Sequence, residues 1–257
     1  MQPLRRNLGA YCGERIHVEA VQAALISVAE KKGWEIDWLE CDDSDRFPVI
    51  TRVSEKASQR LYVSAGIHGD EPAGPMTILR LLRDDCWPRD ASLWLCPLLN
   101  YSGFQRNSRE DKQGIDLNRD YRHRISPRVR AHIRWLESTP RFEVGLHLHE
   151  DWESTGFYLY ELNPRDRPTF GERVIQGLSR ICPIDTAEQI DGRPAKNGIL
   201  RPQIDPASQQ EWPEAFFMVQ EKTDLSYTLE SPSDYPLELR VNAMSLAVRT
   251  LLEAYAA

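Results

Sequence analysis

The chain has 257 residues and a formal net charge of −7. A chain of this length buries a sizeable core without metal or disulfide staples, so a metal, if one is bound, serves chemistry rather than folding. The acidic balance also argues against a nucleic-acid partner: the densest basic stretch, Arg119 to Arg134, is broken by Asp120, Ile125, Pro127 and Val129, and phosphate binding needs clustered Lys and Arg.

The five cysteines, at 12, 41, 86, 96 and 182, are odd in number and show no CxxC spacing, which predicts reduced, partly buried thiols rather than a disulfide frame or a Cys-rich metal site. Arg5 and Arg6 could open a signal, but Gly13, Glu14 and Arg15 stand where an apolar segment would follow. No apolar run is long enough to span a bilayer. A cytoplasmic protein without membrane partners is expected.

In chain order, Ile16, Ala20, Ala23, Ala24 and Val28 predict a first amphipathic helix, ended by Lys31, Lys32 and Gly33. Residues 34–40 and 48–54 read as sheet-edge strands, and 61–67 as a stronger strand running into His68. Pro72 and Pro75 suit the first turn of a helix continued by Met76, Leu79, Leu81 and Leu82. A buried strand follows at 91–98, then a polar loop of twenty-one residues from Asn100 to Asp120, a length that points to function. A helix at 128–136, strands at 142–148, 157–161 and 224–230, and a final helix from about 237 to 256 complete the series. Strands alternating with helices, without repeat or linker, predict a single α/β domain over 1–257, with a mixed, largely parallel central sheet and helices on both faces.

Four segments concentrate ionisable residues. In Gly66-Ile-His68-Gly-Asp-Glu71 a strand delivers His68 to the sheet rim and Glu71 lands close by. Imidazole and carboxylate suit zinc, although acidic residues at a helix entry can equally serve its dipole. In residues 143–151, strand alternation puts Val144, Leu146 and Leu148 on one face and Gly145, His147 and His149 on the other. A catalytic zinc takes three protein ligands and leaves one position open, so His68, Glu71 and either His147 or His149 would complete a set. Position 153 is Glu, which excludes an HExxH helix. The third segment, Arg109 to Tyr121, places Arg109 and Arg119 in a Gly-containing loop. Opposite a metal, one arginine could stabilise an oxyanion and the other clamp a carboxylate. The fourth ends an apolar strand on Glu230, a candidate general base.

His68-Gly-Asp-Glu71, Gly114-Ile-Asp-Leu-Asn-Arg-Asp-Tyr121, the strand ending on His149 and the strand ending on Glu230, in that order, resemble the zinc carboxypeptidase superfamily. The likeness is nearest to its small bacterial members related to murein-tripeptide amidase, and more distant to succinylglutamate desuccinylase and aspartoacylase. The resemblance implies one zinc ion held by His68, Glu71 and His149. It implies Glu230 as catalytic glutamate, Arg109 polarising the scissile carbonyl, and Asn118 with Arg119 gripping a terminal carboxylate. Asp116 would orient the zinc-bound His68, and His147, where many relatives carry Asp, would support the site or pack as a structural histidine. Asp111, where relatives have Asn, would bring extra negative charge that alters substrate choice.

The implied function is a zinc-dependent metallocarboxypeptidase or amidase, hydrolysing an amide bond beside a free carboxylate, with recycled cell-wall peptides as one substrate class. Two alternatives are an N-acyl amino acid deacylase using the same apparatus and a catalytically decayed binding protein. Residues 185–214, including Asp191 to Ala195 and Trp212, are expected to line the selective pocket.

Overall fold

The apolar runs in the middle of the chain become neighbouring strands. The computed structural model describes residues 3–5, 14–42, 45–203 and 205–256; Arg6, Cys12 and Gly13 lie outside the described residues. The strands are β1 (Glu35–Glu40), β2 (Arg46–Arg52), β3 (Gln59–Ala65), β4 (Ala91–Cys96), β5 (Val144–Asp151), β6 (Tyr158–Leu162), β7 (Gln189–Ile190), β8 (Arg193–Pro194), β9 (Ile199–Leu200) and β10 (Ser226–Pro232). Eight of them form one sheet in the order β1-β2-β4-β3-β5-β10-β6-β9, and β7 pairs with β8 as a separate hairpin. The four central strands, β4-β3-β5-β10, are parallel, while β1, β2 and β6 join antiparallel.

Helices cover both faces, as expected. They are α1 (Val18–Lys31), α2 (Ala73–Arg83), α3 (Tyr101–Arg106), α4 (Pro127–Ser138), α5 (Gly171–Leu178), α6 (Glu214–Phe217) and α7 (Leu237–Ala256). Val144, Leu146 and Leu148 of β5 enter the larger core, shared with α1, α2, α5 and α7. Tyr62, Trp94 and Phe142 enter a second core, where Val129, Ile133 and Leu136 of α4 meet Phe217 and Met218. Among the described residues no helix is long and apolar enough to cross a membrane. Cys41, Cys86, Cys96 and Cys182 are free thiols, the last two buried.

Several expectations shift. The buried stripe of α1 is Val18, Val21, Leu25 and Ala29, while Ala20 and Ala23 face solvent: the larger apolar side chains set the phase. The stretch from Asn100 to Asp120 is not all loop, because it holds α3 and a turn of 3-10 helix at Leu117–Arg119. Its local code is present. The Asn100 side chain accepts from the Gly103 N–H (2.9 Å), and Asn107, left-handed at φ 52°, ends the helix. This short helix packs hard against the loop after β3, where a Cβ on Gly69 would lie 2.0 Å from the Gly103 carbonyl carbon. Only a glycine at position 69 allows that approach. Helix α5 is unanticipated, although Val174, Ile175 and Leu178 carry the helical spacing that buries it.

The topology positions the site. From β3 the chain crosses to β4 on one side, then reaches β5 on the other, so the sheet order reverses beside β3. Clefts form outside the carboxyl ends of strands at such a reversal.

Candidate functional site

The carboxyl ends of β3, β5 and β10 open into a cleft of about 880 Å³. His68 and Glu71 follow β3, His149 lies near the end of β5, and Glu230 of β10 is its direct register partner. All four line the cleft, together with Arg109, Asn118 and Arg119 from the 100–120 segment.

His68, Glu71 and His149 converge. The His68 Nδ1 lies 2.5 Å from one Glu71 carboxylate oxygen and the His149 Nδ1 lies 2.9 Å from the other. All three side chains are buried, and their ligand atoms lie within 4.8 Å of one another. Two imidazole nitrogens and a carboxylate are the donor set that zinc and similar divalent ions take, so these residues fit a metal. The Nε2 of His68 faces the Asp116 carboxylate at 3.3 Å, an arrangement that fixes the ring and strengthens its donor nitrogen.

Electrostatics tie this group together. Burial disfavours a charged His68, yet Glu71 and Asp116 beside it hold its pKa above the ordinary value. For His149 burial wins over the attraction of Glu71 and the pKa falls. Burial also opposes ionisation of Glu71 and Asp116, but neighbouring histidines push both well below the usual carboxylate range. Glu230 goes the other way. Burial, then the negative charges of Glu71 and Asp151, raise its pKa well above normal. A carboxyl of raised pKa beside a metal-competent cluster has the character of a proton-transfer group.

Arg109 reaches the cluster from one side, with its Nε on Asp116 (2.8 Å) and its Nη1 3.3 Å from the His68 Nδ1. Arg119 leans on the Asn118 carbonyl (2.9 Å) and stands 3.8 Å from Glu211, with its side chain 45% exposed. That exposure lowers the cost of leaving it unpaired below that of a buried charge.

His147 is kept apart from the three. It is buried in the cleft lining, with its Nδ1 2.9 Å from the Ser64 Oγ and 3.4 Å from Glu214. Sequence reasoning overlooked Glu214. Its only signal is a lone acid in the apolar run Trp212-Pro-Glu-Ala-Phe-Phe-Met218, and nothing local shows that it meets β3 and β5.

Two further expectations are corrected. Asp111 does not charge the cleft: it is buried, its carboxylate accepting the Gln113 and Ile115 N–H groups and the Ser126 hydroxyl, so it braces the loop. Trp212 does not line the cleft either, because its indole N–H bonds to the Pro206 carbonyl (2.7 Å) and its ring packs into the cores. Asp185, Asp191 and Arg193 do line it, Asp191 receiving the Tyr160 hydroxyl at 2.7 Å.

Comparison with known proteins agrees with this architecture. Residues 57–183, just under half of the chain, match the model of the succinylglutamate desuccinylase/aspartoacylase catalytic domain. A crystal structure from Shewanella baltica OS155, provisionally described as a metallopeptidase, superimposes with a TM-score of 0.81 at 22% identity, covering 99% of this chain and 100% of that one. A counterpart from Shewanella amazonensis SB2B, described in the same way, gives 0.80 at 23% identity and 93% of each chain. The metallo-carboxypeptidase of Pseudomonas aeruginosa, solved with (2-guanidinoethylmercapto)succinic acid, gives 0.67 at 20% identity, covering 90% of this chain and 67% of that one. No curated protein sequence matches the chain significantly. The likeness to the zinc carboxypeptidase superfamily and its fold, read from the four sequence segments, is borne out.

Proposed function

We propose that this protein is a zinc-dependent hydrolase that cuts an amide bond beside a free carboxylate. The observation that carries the reading is the convergence of the His68 and His149 Nδ1 atoms on Glu71, with the raised-pKa carboxyl of Glu230 on the adjacent strand. His68, Glu71 and His149 would hold the metal, Asp116 orienting His68. Zinc, when bound, supplies Lewis acidity that acidifies water and polarises a carbonyl.

The remaining chemistry belongs to the side chains. Glu230 takes a proton from the attacking water and returns it to the departing amine. The Arg109 guanidinium donates to the carbonyl oxygen as negative charge grows there. Asn118 and Arg119 hold the substrate carboxylate through a planar fork of donors beside a neutral amide. His147 takes no metal in this reading; it supports the floor.

Peptides and N-acyl amino acids both present such a bond. The carboxypeptidase-type structural neighbours favour the first, and the match to a desuccinylase/aspartoacylase domain favours the second. Zinc-loaded protein should be assayed on dipeptides and on N-acetyl and N-succinyl amino acids, each as free acid and as C-terminal amide. Strong preference for the free acids, lost in Arg119→Ala, is expected. Equal cleavage of acids and amides refutes the carboxylate reading, and no turnover of any member returns the protein to the binding-protein alternative.

A further inference from the structure

Below the cleft floor the polar groups form one chain of hydrogen bonds whose direction can be worked out. Glu214 is 1% exposed. Although burial opposes its ionisation, His147 and neighbouring groups hold the carboxyl at about 2, so it only accepts. The Tyr62 hydroxyl therefore donates to its Oε1 (2.7 Å) and the Ser64 hydroxyl to its Oε2 (2.9 Å). With its proton spent, Tyr62 must accept from the His132 Nε2 (3.0 Å), which leaves the His132 Nδ1 to accept from the Tyr121 hydroxyl (2.6 Å). Ser64 likewise accepts from the His147 Nδ1.

The same residue reaches a cleft-lining side chain through its backbone. The Glu214 N–H donates to the Asn118 side-chain oxygen at 2.9 Å. Since an N–H can bond only to an acceptor, this contact fixes which way the amide points, and it commits the NH2 group to the other side, in the cleft that Asn118 lines. Further bonds dock the Asn118 segment onto the Glu214 segment. The Tyr121 N–H donates to the Trp212 carbonyl (3.2 Å), and Arg122 donates to the Ala207 carbonyl (3.0 Å). The segments carrying Tyr121 and Glu214 are thus joined twice, once near the cleft and once through His132 and Tyr62 beneath it.

We propose that Glu214 is a positioning residue for substrate binding: anchored by Tyr62 and Ser64, it sets its own backbone N–H so that Asn118 presents its NH2 donors beside Arg119. The inference rests on the reading that Asn118 and Arg119 receive the substrate carboxylate. Among the described residues Glu214 bonds to Tyr62, Ser64 and Asn118 and pairs with His147, none of which is a proposed metal ligand, so its loss should act through recognition rather than turnover.

The test is a double-mutant cycle on zinc-loaded protein, using the free-acid member of the dipeptide and N-acyl amino acid panel that the wild type cleaves fastest. Glu214→Gln should raise KM roughly tenfold, the scale of one weakened hydrogen bond, with kcat within about threefold and zinc content unchanged. Asn118→Ala should raise KM similarly, and the double variant should be no worse than Asn118→Ala alone. Independent, multiplying effects, or a fall in kcat at constant KM, overturn the proposal. Should Glu214→Gln fail to fold, Ser64→Ala keeps the carboxylate, removes one anchor and should show a smaller shift of the same kind; an unchanged KM there counts against the proposal. A crystal structure of Glu214→Gln, or of Ser64→Ala, reads the coupling without turnover. A displaced or flipped Asn118 amide supports it and an unmoved one overturns it, even if the carboxylate reading fails on the amide substrates.

Discussion

Acid should attack this protein through His132. The ring is fully buried, sandwiched between a donor at Tyr121 and an acceptor at Tyr62, with Trp135 stacked on it at 5.9 Å. Burial lowers its pKa from 6.5 to about 4, the nearby Glu214 charge opposing only in part. A histidine whose folded pKa is depressed binds fewer protons folded than unfolded between those two values. Its neutral form is therefore compatible with full stability above about pH 6.5, and that stability is lost as pH falls toward 4. A shift of this size corresponds to roughly 2 kcal/mol lost by pH 5 and roughly 3 kcal/mol by pH 4. His132→Gln keeps one donor and one acceptor but cannot titrate. Urea unfolding followed by tryptophan fluorescence, with metal removed by chelator so that acid release of the ion does not enter, should give two stability curves that converge as pH falls. The wild-type protein should lose about 2 kcal/mol more than the variant between pH 7.5 and 5. Parallel curves, or an NMR titration of the folded-state His132 ring near 6.5, would refute the argument.

Three other perturbations separate the proposed roles. His149→Ala should abolish stoichiometric zinc binding while His147→Ala largely keeps it, as read by metal analysis after dialysis; equal loss in both would dissolve the distinction. Glu230→Gln should retain zinc and lose roughly 10²–10⁴ in kcat, the usual scale for a general base, and full activity in that variant would move the role elsewhere. Gly69→Ala forces a methyl against the Gly103 backbone, 2.0 Å from its carbonyl carbon. A loss of at least about 1–3 kcal/mol in unfolding free energy is expected, and an unchanged melting temperature would mean that α3 yields freely.

Periodicity and strand-end chemistry made much of this protein legible from its residues alone. The apolar strands ending near His68, His149 and Glu230 could be read because a strand's side chains alternate and its end delivers the next residue to the sheet rim. The metal-competent trio was legible for the same reason, and His149 rather than His147 meets His68 and Glu71 because it stands two residues further along β5, at the rim. Local code also explains what could have been read and was not, namely the Asn100 cap of α3 and the helical spacing of α5. Tertiary structure alone decided the rest. Glu214 lies more than sixty residues from His147 and about 150 from Ser64, and nothing in its neighbourhood along the chain says that it is buried against them. Asp111 became a loop brace and Trp212 a packing residue for a like reason. A side chain's polarity is local, but its partners, and hence its pKa and its role, depend on which distant segments the sheet brings beside it.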